Sequence, residues 1–505
     1  MSTTAPSRIA HAPATPRGTT APVEAARPTP AARPIGKRVL YLLLSAAFVG
    51  AMTTQSYSAG LTRVVAPFSI AVALQFLPLF WRAESDPFEA ASISGIYGSL
   101  GLGSSLIAML ERGRVEITYL HGLSPAAAEE LVAVVGWAYV LGTGAYLLGY
   151  YSSLGRRAQR IYPKVAGLAW SPSRLLVASM ACLLVAVPVY AYFQSRLGTS
   201  LTDVTHLAAG KAVWRDDPTQ TWILRGIMLG LIPPMLALIA VLFRPSLLRY
   251  LVVAAVVGFA AILVLRCGQR GIAIYFLVTC GMLVHYLRKR IPIGLVLAGL
   301  LGAVVVSNVL LEYRVTNAPD EVQTSLSMDR FKPTRALSEH EGDRQRLATM
   351  GVVFYTFPDK EDFLLGESWL AFLVAPVPRW LWPDKAKHFI WRETYMMVHL
   401  IKTPVPVPYL GLLYSNFSWV GIVIGMFLWG ALQRGLYEWL VAAGPDPSVA
   451  LLYANLAFVQ SPTIFGFQQV IQFGIPIYLI LLFVGLRART KAAAGGTSGA
   501  REVPA

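Results

Sequence analysis

The sequence predicts an all-α polytopic membrane protein with one large extracytoplasmic loop. Of its 505 residues, 55% are hydrophobic and only 14% are charged, and the mean hydropathy is +0.54. Apolar runs of about 16 to 22 residues recur along the chain, which is the length that a helix needs to cross a bilayer. A long polar stretch, residues 312–408, interrupts these runs. These observations exclude a soluble globular protein.

The net charge of +16 does not indicate a nucleic-acid partner in a chain of this class. Much of the excess Lys and Arg lies in connections expected to face the cytoplasm, where such residues set the topology. The three cysteines, Cys182, Cys267 and Cys280, lie in or beside apolar runs and lack the spacing of metal ligands. They therefore predict neither a disulfide framework nor a zinc site.

The apolar runs divide the chain into about 12 transmembrane helices. Residues 1–36 and 488–505 predict disordered cytoplasmic tails, because they are poor in large apolar residues. Residues 37–311 hold the helices before the loop, and residues 409–487 hold those after it. The predicted spans are 39–53, 64–80, 90–110, 131–150, 174–193, 221–243, 250–265, 272–287, 292–311, 409–432, 448–465 and 473–486.

The distribution of Lys and Arg predicts that both termini are cytoplasmic and that the 312–408 loop is outside. Lys37 and Arg38 precede the first span and mark a signal anchor whose tail stays inside. Alternate connections then carry basic residues, as the positive-inside rule requires. They are Arg82; Arg156, Arg157, Arg160 and Lys164; Arg244 and Arg249; Arg288, Lys289 and Arg290; Arg434; and Arg487, Arg489 and Lys491.

Arg266 and Arg270 lie in a short connection predicted to be outside, where topology does not explain two cations. Arginine binds phosphate or carboxylate through two parallel hydrogen bonds and stays charged at any relevant pH. Arg314 follows the ninth span and lies at the neighbouring helix end. We interpret the three as part of an anion site that the large loop completes. The alternative is that they snorkel to lipid headgroups.

The large loop concentrates titratable and aromatic side chains. A histidine or carboxylate beside a cationic patch could act as a general base on a sugar hydroxyl, although a solvated loop surface is the alternative for each of them. The candidates for the base are His340, His388 and Glu393. Tryptophans could stack on sugar rings or anchor the loop at headgroup level. They are Trp369, Trp380, Trp382 and Trp391.

Three stretches resemble the bacterial O-antigen polymerase (Wzy-type) family, the oligosaccharide repeat-unit polymerases of surface polysaccharide assembly. The first is 266–271, which leads into an apolar run. The second is 366–368 together with the Pro-Arg-Trp-Leu-Trp-Pro-Asp-Lys sequence at 378–385. The third is 413–421, which continues into 425–427. The Ser-Asp-Pro turn at 85–87 is also similar to the family.

The resemblance implies a GT-C-like polymerase/ligase bundle in the bacterial inner (plasma) membrane. Such an enzyme transfers a glycan from polyprenyl pyrophosphate to an incoming lipid-linked repeat unit on the extracytoplasmic face, which yields O-antigen, capsular polysaccharide or exopolysaccharide. It implies no metal or other cofactor, because arginines would neutralise the leaving group. Its partners would be membrane lipids, a chain-length regulator and a flippase. The residues expected to bind pyrophosphate and glycan are Arg266, Arg270, Arg314, Arg379, Trp382 and Lys385.

The sequence also leaves other functions open. An O-antigen ligase, which transfers a finished glycan to another lipid, shares the large outer loop and the arginine-rich chemistry. A transporter or flippase suits the number of helices, but the sequence contains no repeated half. A structural subunit of an export complex is a third alternative. A metal-dependent lipid-sugar transferase is disfavoured, because the predicted first outer loop, 55–63, contains no acid. Finally, Ser418 stands where the family would have glycine.

Overall fold

The computed structural model describes residues 35–54, 59–81, 86–112, 123–168, 170–196, 229–243, 245–267, 270–299, 302, 341–367, 381–382, 407–457 and 474–495. All regular structure within these ranges is helical, and no strand occurs in them. This confirms the predicted all-α class. The helices are α1 (Ile35–Thr54), α2 (Ala59–Trp81), α3 (Ala90–Arg112), α4 (Pro125–Tyr151), α5 (Ser153–Arg157), α6 (Pro172–Arg196), α7 (Ile232–Phe243), α8 (Leu247–Cys267), α9 (Arg270–Leu287), α10 (Glu341–Thr356), α11 (Tyr409–Ala443), α12 (Pro447–Leu456) and α13 (Ile475–Gly495).

Six of the described helices contain a stretch long and apolar enough to cross a membrane, which is the pattern of a membrane protein. Each coincides with a span predicted from the sequence. These stretches are Gly36–Thr54, Gly60–Trp81, Ala90–Ile107, Pro125–Tyr151, Ser173–Phe193 and Tyr409–Ala443. Shorter apolar helices lie at five of the other predicted spans, namely those near 221–243, 250–265, 272–287, 448–465 and 473–486.

The predicted tails and the predicted loop both contain helix. At the carboxyl end, α13 continues through 488–495. The Lys-Ala-Ala-Ala sequence there has high helix propensity, so the helix outlasts its apolar part. Within 312–408, which the sequence predicted as a loop, residues 341–356 form α10. Its buried residues Met350, Val352 and Val353 belong to the core of the bundle.

Local sequence explains where two of the helices begin. At α4, Ser124 accepts a hydrogen bond from the Ala127 N–H, and proline follows it at the first helical position. At α12, Asp446 accepts from the N–H groups of Ser448 and Val449, again before a proline. A side-chain cap followed by proline satisfies a free donor and presets the backbone for the first turn.

Buried apolar side chains form two clusters, and α11 contributes to both. The first cluster joins α2, α3, α4, α10 and the first half of α11. It includes Phe68, Leu106, Val135, Val352 and Leu413. The second cluster joins α7, α9, α12, α13 and the last part of α11. It includes Leu236, Leu283, Leu440, Tyr453 and Leu481. Because α11 is shared, it fixes the position of one cluster relative to the other.

The contact between α4 and α11 depends on glycines that let the two backbones touch. A Cβ added at Gly149 would overlap the carbonyl oxygen of Phe427, and one added at Gly430 would overlap that of Tyr146. Small residues at such crossings are typical of helix pairs in membranes, where close backbone approach replaces the hydrophobic effect as the source of attraction.

The outward side chains of α1, in contrast, are large and apolar. Leu40, Leu42, Leu43 and Leu44 are all more than half exposed, which fits contact with lipid.

Candidate functional site

The helix α11 is interrupted at Phe417 and Ser418. Their backbone angles are non-helical (φ −139°, ψ 20° and φ 59°, ψ −153°). The whole helix has 35 residues, so at 1.5 Å per residue it is about 52 Å long, against roughly 30 Å for the hydrocarbon core. The break divides it into a short piece, 409–416, and a longer piece, 419–443, that is long enough to span a bilayer alone.

A turn at 364–366 satisfies the backbone groups that the break exposes. The Leu364 N–H donates to the Ser415 carbonyl (2.9 Å), and the Leu365 N–H donates to the Asn416 carbonyl (3.1 Å). The Gly366 N–H donates to Asn416 Oδ1 (3.1 Å). Carbonyls at a helix end have no partner in the helix, so the turn acts as a cap supplied from another part of the chain.

Asn416 is the side chain that locks this junction. It is completely buried, and its Nδ2 donates to the Leu412 carbonyl at 2.7 Å while its Oδ1 accepts from Gly366. In the turn, Leu365 and Gly366 both have positive φ (45° and 92°). The sequence Asn-Phe-Ser at 416–418 therefore serves the helix break, and the burial of the amide argues against a glycan there.

The backbone of Ser418 lies in a region that favours glycine. With φ at 59° and ψ at −153°, a side chain costs about 1–3 kcal/mol of conformational energy. The family resemblance led us to expect glycine at this position, and the backbone of Ser418 has a conformation that a glycine would allow.

Aromatic rings support the junction from α10. Phe354 stacks on Tyr414 with 3.9 Å between ring centroids. Phe363, beside the turn, meets the same ring edge-on at 5.7 Å. Trp419, just after the break, contacts both Tyr414 (5.7 Å) and Phe354 (5.4 Å). The rings hold α10, the turn and both pieces of α11 in one arrangement.

The junction unites two of the three stretches on which the expected family resemblance is based. The second stretch begins at Gly366, and the third contains Asn416. In the first stretch, Arg266 lies in the last turn of α8 and Arg270 is the first residue of α9. Trp382 is half-buried. The other candidate residues lie outside the described part of the chain; they are Arg314, His340, Arg379, Lys385, His388 and Glu393.

A second polar group, which the sequence did not predict, is buried further along α11. Asp86 Oδ2 accepts hydrogen bonds from the hydroxyls of Tyr286 and Tyr437, each at 3.0 Å. His285 Nε2 lies 3.4 Å from Asp86 Oδ1. The other ring nitrogen of His285, Nδ1, accepts from the Ile291 N–H at 2.9 Å, so Nε2 carries the proton and faces the carboxylate.

Glu89 forms the other half of this group. It is completely buried, and its Oε1 accepts from the Tyr150 hydroxyl (2.7 Å) and from Arg434 Nη1 (3.0 Å). Arg434 also forms an ion pair with Glu438 one turn later, and its guanidinium lies 5.4 Å and 5.6 Å from the ring centroids of Tyr150 and Tyr437. Charged partners and aromatic faces together replace the water that the guanidinium has lost.

The placement of Arg434 corrects a prediction. The sequence placed Arg434 in a cytoplasmic connection, but it lies within α11 and is only 8% exposed. The carboxylates of Glu89 and Glu438 make that burial possible. The buried ionic group, formed by Asp86, Glu89, His285 and Arg434, joins the start of α3 to the ends of α4 and α9. The sequence predicted that these three helix ends lie on the same side of the membrane. One sequence feature pointed to this group, namely the acidic turn at 85–87. In the sequence, that turn is notable only for its similarity to the family.

Comparisons with known proteins give no match, since no family model, curated protein or solved structure is significantly similar to this chain. Within the described residues, no three His, Cys, Asp or Glu side chains are grouped closely enough to hold a metal ion. The junction at Asn416 and the buried ionic group are therefore the two features of the described residues that bear on function.

Proposed function

We propose that this chain is a membrane glycosyltransferase that polymerises polyprenyl-pyrophosphate-linked oligosaccharide repeat units on the extracytoplasmic face of the bacterial inner membrane. The product would be O-antigen, capsular polysaccharide or exopolysaccharide. The observation that carries this proposal is the hydrogen bond between Gly366 and Asn416, which lie 50 residues apart. Two stretches that resemble the same enzyme family meet there, as parts of one site would.

The depth of the junction supports the proposal. Arg434 follows Ser418 by 16 residues, or about 24 Å along α11, which is close to the thickness of the hydrocarbon core. If the buried ionic group lies near the cytoplasmic boundary, the junction lies near the outer one. A lipid-linked sugar is accessible from the outer compartment at that depth. Irregular backbone at such a place is tolerated where protein buries it or where it lines a cavity.

The position of the 266–271 stretch, which contains Arg266 and Arg270, is consistent with the same outer side of the membrane. His285 follows Arg270 by 15 residues along α9, a separation of about 22 Å. Both α9 and α11 run toward the ionic group, so Arg270 and the helix break both lie in the half of their helix that precedes this group. This arrangement favours a shared outer site that includes Arg266 and Arg270.

The proposed reaction assigns a role to each candidate residue. A hydroxyl oxygen of the acceptor sugar attacks the anomeric carbon of the donor glycan, and the bond from that carbon to the pyrophosphate oxygen breaks. A general base takes the hydroxyl proton, and cations stabilise the charge on the pyrophosphate. The candidates for the base are His340, His388 and Glu393. The candidates for binding pyrophosphate and glycan are Arg266, Arg270, Arg314, Arg379, Trp382 and Lys385.

The test is reconstitution of the full chain in lipid vesicles with a polyprenyl-pyrophosphate-linked repeat unit, read as a product ladder on a gel. We expect a ladder from the wild type and from Arg288→Ala, which removes an exposed arginine at the opposite end of α9. We expect Arg270→Ala and Arg379→Ala to abolish it while the protein stays folded. A ladder that survives both substitutions would refute the proposed anion site. Transfer of a finished glycan to another lipid, without a ladder, would indicate a ligase.

A transporter of lipid-linked glycans is the second candidate. Interrupted membrane helices are common in transporters, and so are buried ionisable groups. The break at Ser418 and the Glu89–Arg434 pair are specific observations in its favour. The same vesicles distinguish the two functions. Movement of a labelled substrate across the bilayer, with no ladder under any condition, would favour the transporter.

A further inference from the structure

The connection between α4 and α6 is a basic segment held at the edge of the bundle. The helices on either side of it both contain candidate membrane spans, so we expect residues 152–171 to lie at a membrane boundary. No acidic residue occurs in this range. Its four cations, Arg156, Arg157, Arg160 and Lys164, are all exposed. Within the described part of the chain, none of them forms an ion pair.

This connection has a fixed fold. Ser152 caps α5 by accepting from the Gly155 N–H at 3.2 Å, and a 3-10 helix, Ala158–Ile161, follows directly. The segment also packs directly on α11, because a Cβ added at Gly435 would be 2.7 Å from Ala158. The four cations are therefore presented on a preformed surface, which lowers the entropy cost of binding a ligand.

Hydrogen bonds between distant residues hold the second half of the connection. The Tyr162 hydroxyl donates to the Leu432 carbonyl at 2.9 Å, and Trp439 Nε1 donates to the Pro163 carbonyl at 3.1 Å. The Tyr162 and Trp439 rings stack with 5.7 Å between centroids. The Gly167 N–H donates to Asp446 Oδ2 at 2.7 Å. Both nearby acids are therefore engaged, since Asp446 binds this backbone and Glu438 binds Arg434.

Apolar side chains project beside the cations. Leu154 is 45% exposed and Ile161 is 67% exposed. They are seven residues apart, so they lie on one side of a helical segment. Exposed apolar residues flanked by arginines are typical of segments that lie in the membrane interface, with the apolar groups near the acyl chains and the cations among the headgroups. Positive charge that served only to set topology would need neither the fixed fold nor these exposed side chains.

We propose that residues 153–164 form a binding site for anionic phospholipid headgroups. Arginine forks match phosphate oxygens, and a headgroup with net negative charge gains from all four cations at once. Leu154 and Ile161 enter the boundary between headgroups and acyl chains. The site packs on α11 beside Arg434, since a Cβ added at Gly155 would be 2.7 Å from the Arg434 Cβ. This inference does not depend on the proposed enzymatic activity.

Native mass spectrometry of the purified full chain tests the proposal by counting the phospholipid molecules that it retains from an equimolar mixture of phosphatidylglycerol and phosphatidylcholine. We expect the wild type to retain phosphatidylglycerol preferentially. In the triple variant R156Q/R157Q/R160Q, the ratio of retained phosphatidylglycerol to retained phosphatidylcholine should fall at least tenfold. The matched variant R288Q/K289Q/R290Q removes the same charge from another exposed segment and should keep it. Ile161→Ser keeps every cation and should lose about threefold.

Several outcomes would overturn the proposal. Equal retention of the two lipids by the wild type would do so, and so would an equal loss in both triple variants. Displacement of phosphatidylglycerol by inorganic phosphate at the same concentration would indicate a free-phosphate site instead. If the triple variant does not fold, Arg160→Gln and Lys164→Gln replace it, because both side chains are exposed. Each should reduce the preference by at least twofold, and no reduction in either would refute the site.

Discussion

Glu89 and Arg434 form a buried ion pair across 345 residues of sequence, with 3.0 Å between Glu89 Oε1 and Arg434 Nη1. The pair connects the turn before α3 to the last third of α11, close to the place where the two apolar clusters meet. A buried pair adds little net stability over a well-packed apolar core, but the loss of one partner leaves a charge in an environment without water.

We therefore expect Glu89→Gln or Arg434→Met to lower the free energy of unfolding by about 3–5 kcal/mol. The double variant should cost less than the sum of the two, because each single loss already includes the interaction between Glu89 and Arg434. Thermal unfolding of the purified protein in detergent measures this. Glu438→Gln is the control, since that side chain is 23% exposed and its loss should cost about 1 kcal/mol or less. Equal losses for Glu89→Gln and Glu438→Gln would show that the Glu89 pair has no special role.

Ser418→Gly should stabilise the protein by about 1 kcal/mol, because glycine adopts the backbone angles of residue 418 without a steric penalty. The same change at Ser105, inside the regular helix α3, should destabilise it by up to about 1 kcal/mol through glycine's low helix propensity. If the break in α11 is as described, the two variants should change the thermal unfolding temperature in opposite directions. Destabilisation by both would contradict a glycine-like conformation at Ser418.

Gly149→Ala should force α4 and α11 apart. The added methyl group meets a backbone carbonyl, which cannot turn aside as a side chain would. Overpacking of this kind costs about 1–3 kcal/mol. Gly144→Ala, in the same helix, has no neighbouring atom within 4 Å of the added Cβ and should be neutral or stabilising by up to about 1 kcal/mol. Denaturant or thermal melts of both variants are compared, and similar behaviour would rule out the close crossing.

Asn416→Leu should weaken both stability and the proposed activity. It removes the acceptor for the Gly366 N–H and the donor to Leu412, which costs about 1–3 kcal/mol where a buried group loses its partner. The turn at 364–366 then loses its side-chain anchor, so the ladder should shorten or disappear in the vesicle assay. Ser415→Ala is the matched control, because its hydroxyl donates only to a carbonyl in its own helix. A full ladder from Asn416→Leu would show that the proposed activity does not require the junction.

Hydropathy predicted the positions of the six long apolar helices in the described residues, because the apolar length needed to cross a membrane is a local property. The span predicted at 131–150 matches α4, Pro125–Tyr151, within six residues at either end. Local properties failed at Arg434, where an arginine after an apolar run indicated a loop. Its partner Glu89 lies 345 residues earlier, and no sequence window contains both.

The candidate site was predictable only in part for the same reason. The resemblance drew attention to Gly366 and to the 413–421 stretch, but nothing in their spacing predicted that they hydrogen-bond to each other. The interruption of α11 was also hidden, since the apolar pattern continues through Phe417. It depends on a tertiary contact, because the turn at 364–366 supplies the hydrogen bonds that the helix gives up.

The sharing of α11 between the two apolar clusters has a consequence for synthesis of the chain. Glu89 leaves the ribosome 345 residues before Arg434, which at a translation rate of about 5–20 residues per second is roughly 17 to 70 s. Once Tyr151 has been added, α2, α3 and α4 are complete, but the helix that completes their core begins only at Tyr409. Nascent chains that end before residue 434 should therefore be substrates for membrane proteases or insertion chaperones. Their survival would depend on protection of the Glu89 carboxylate until Arg434 has been synthesised.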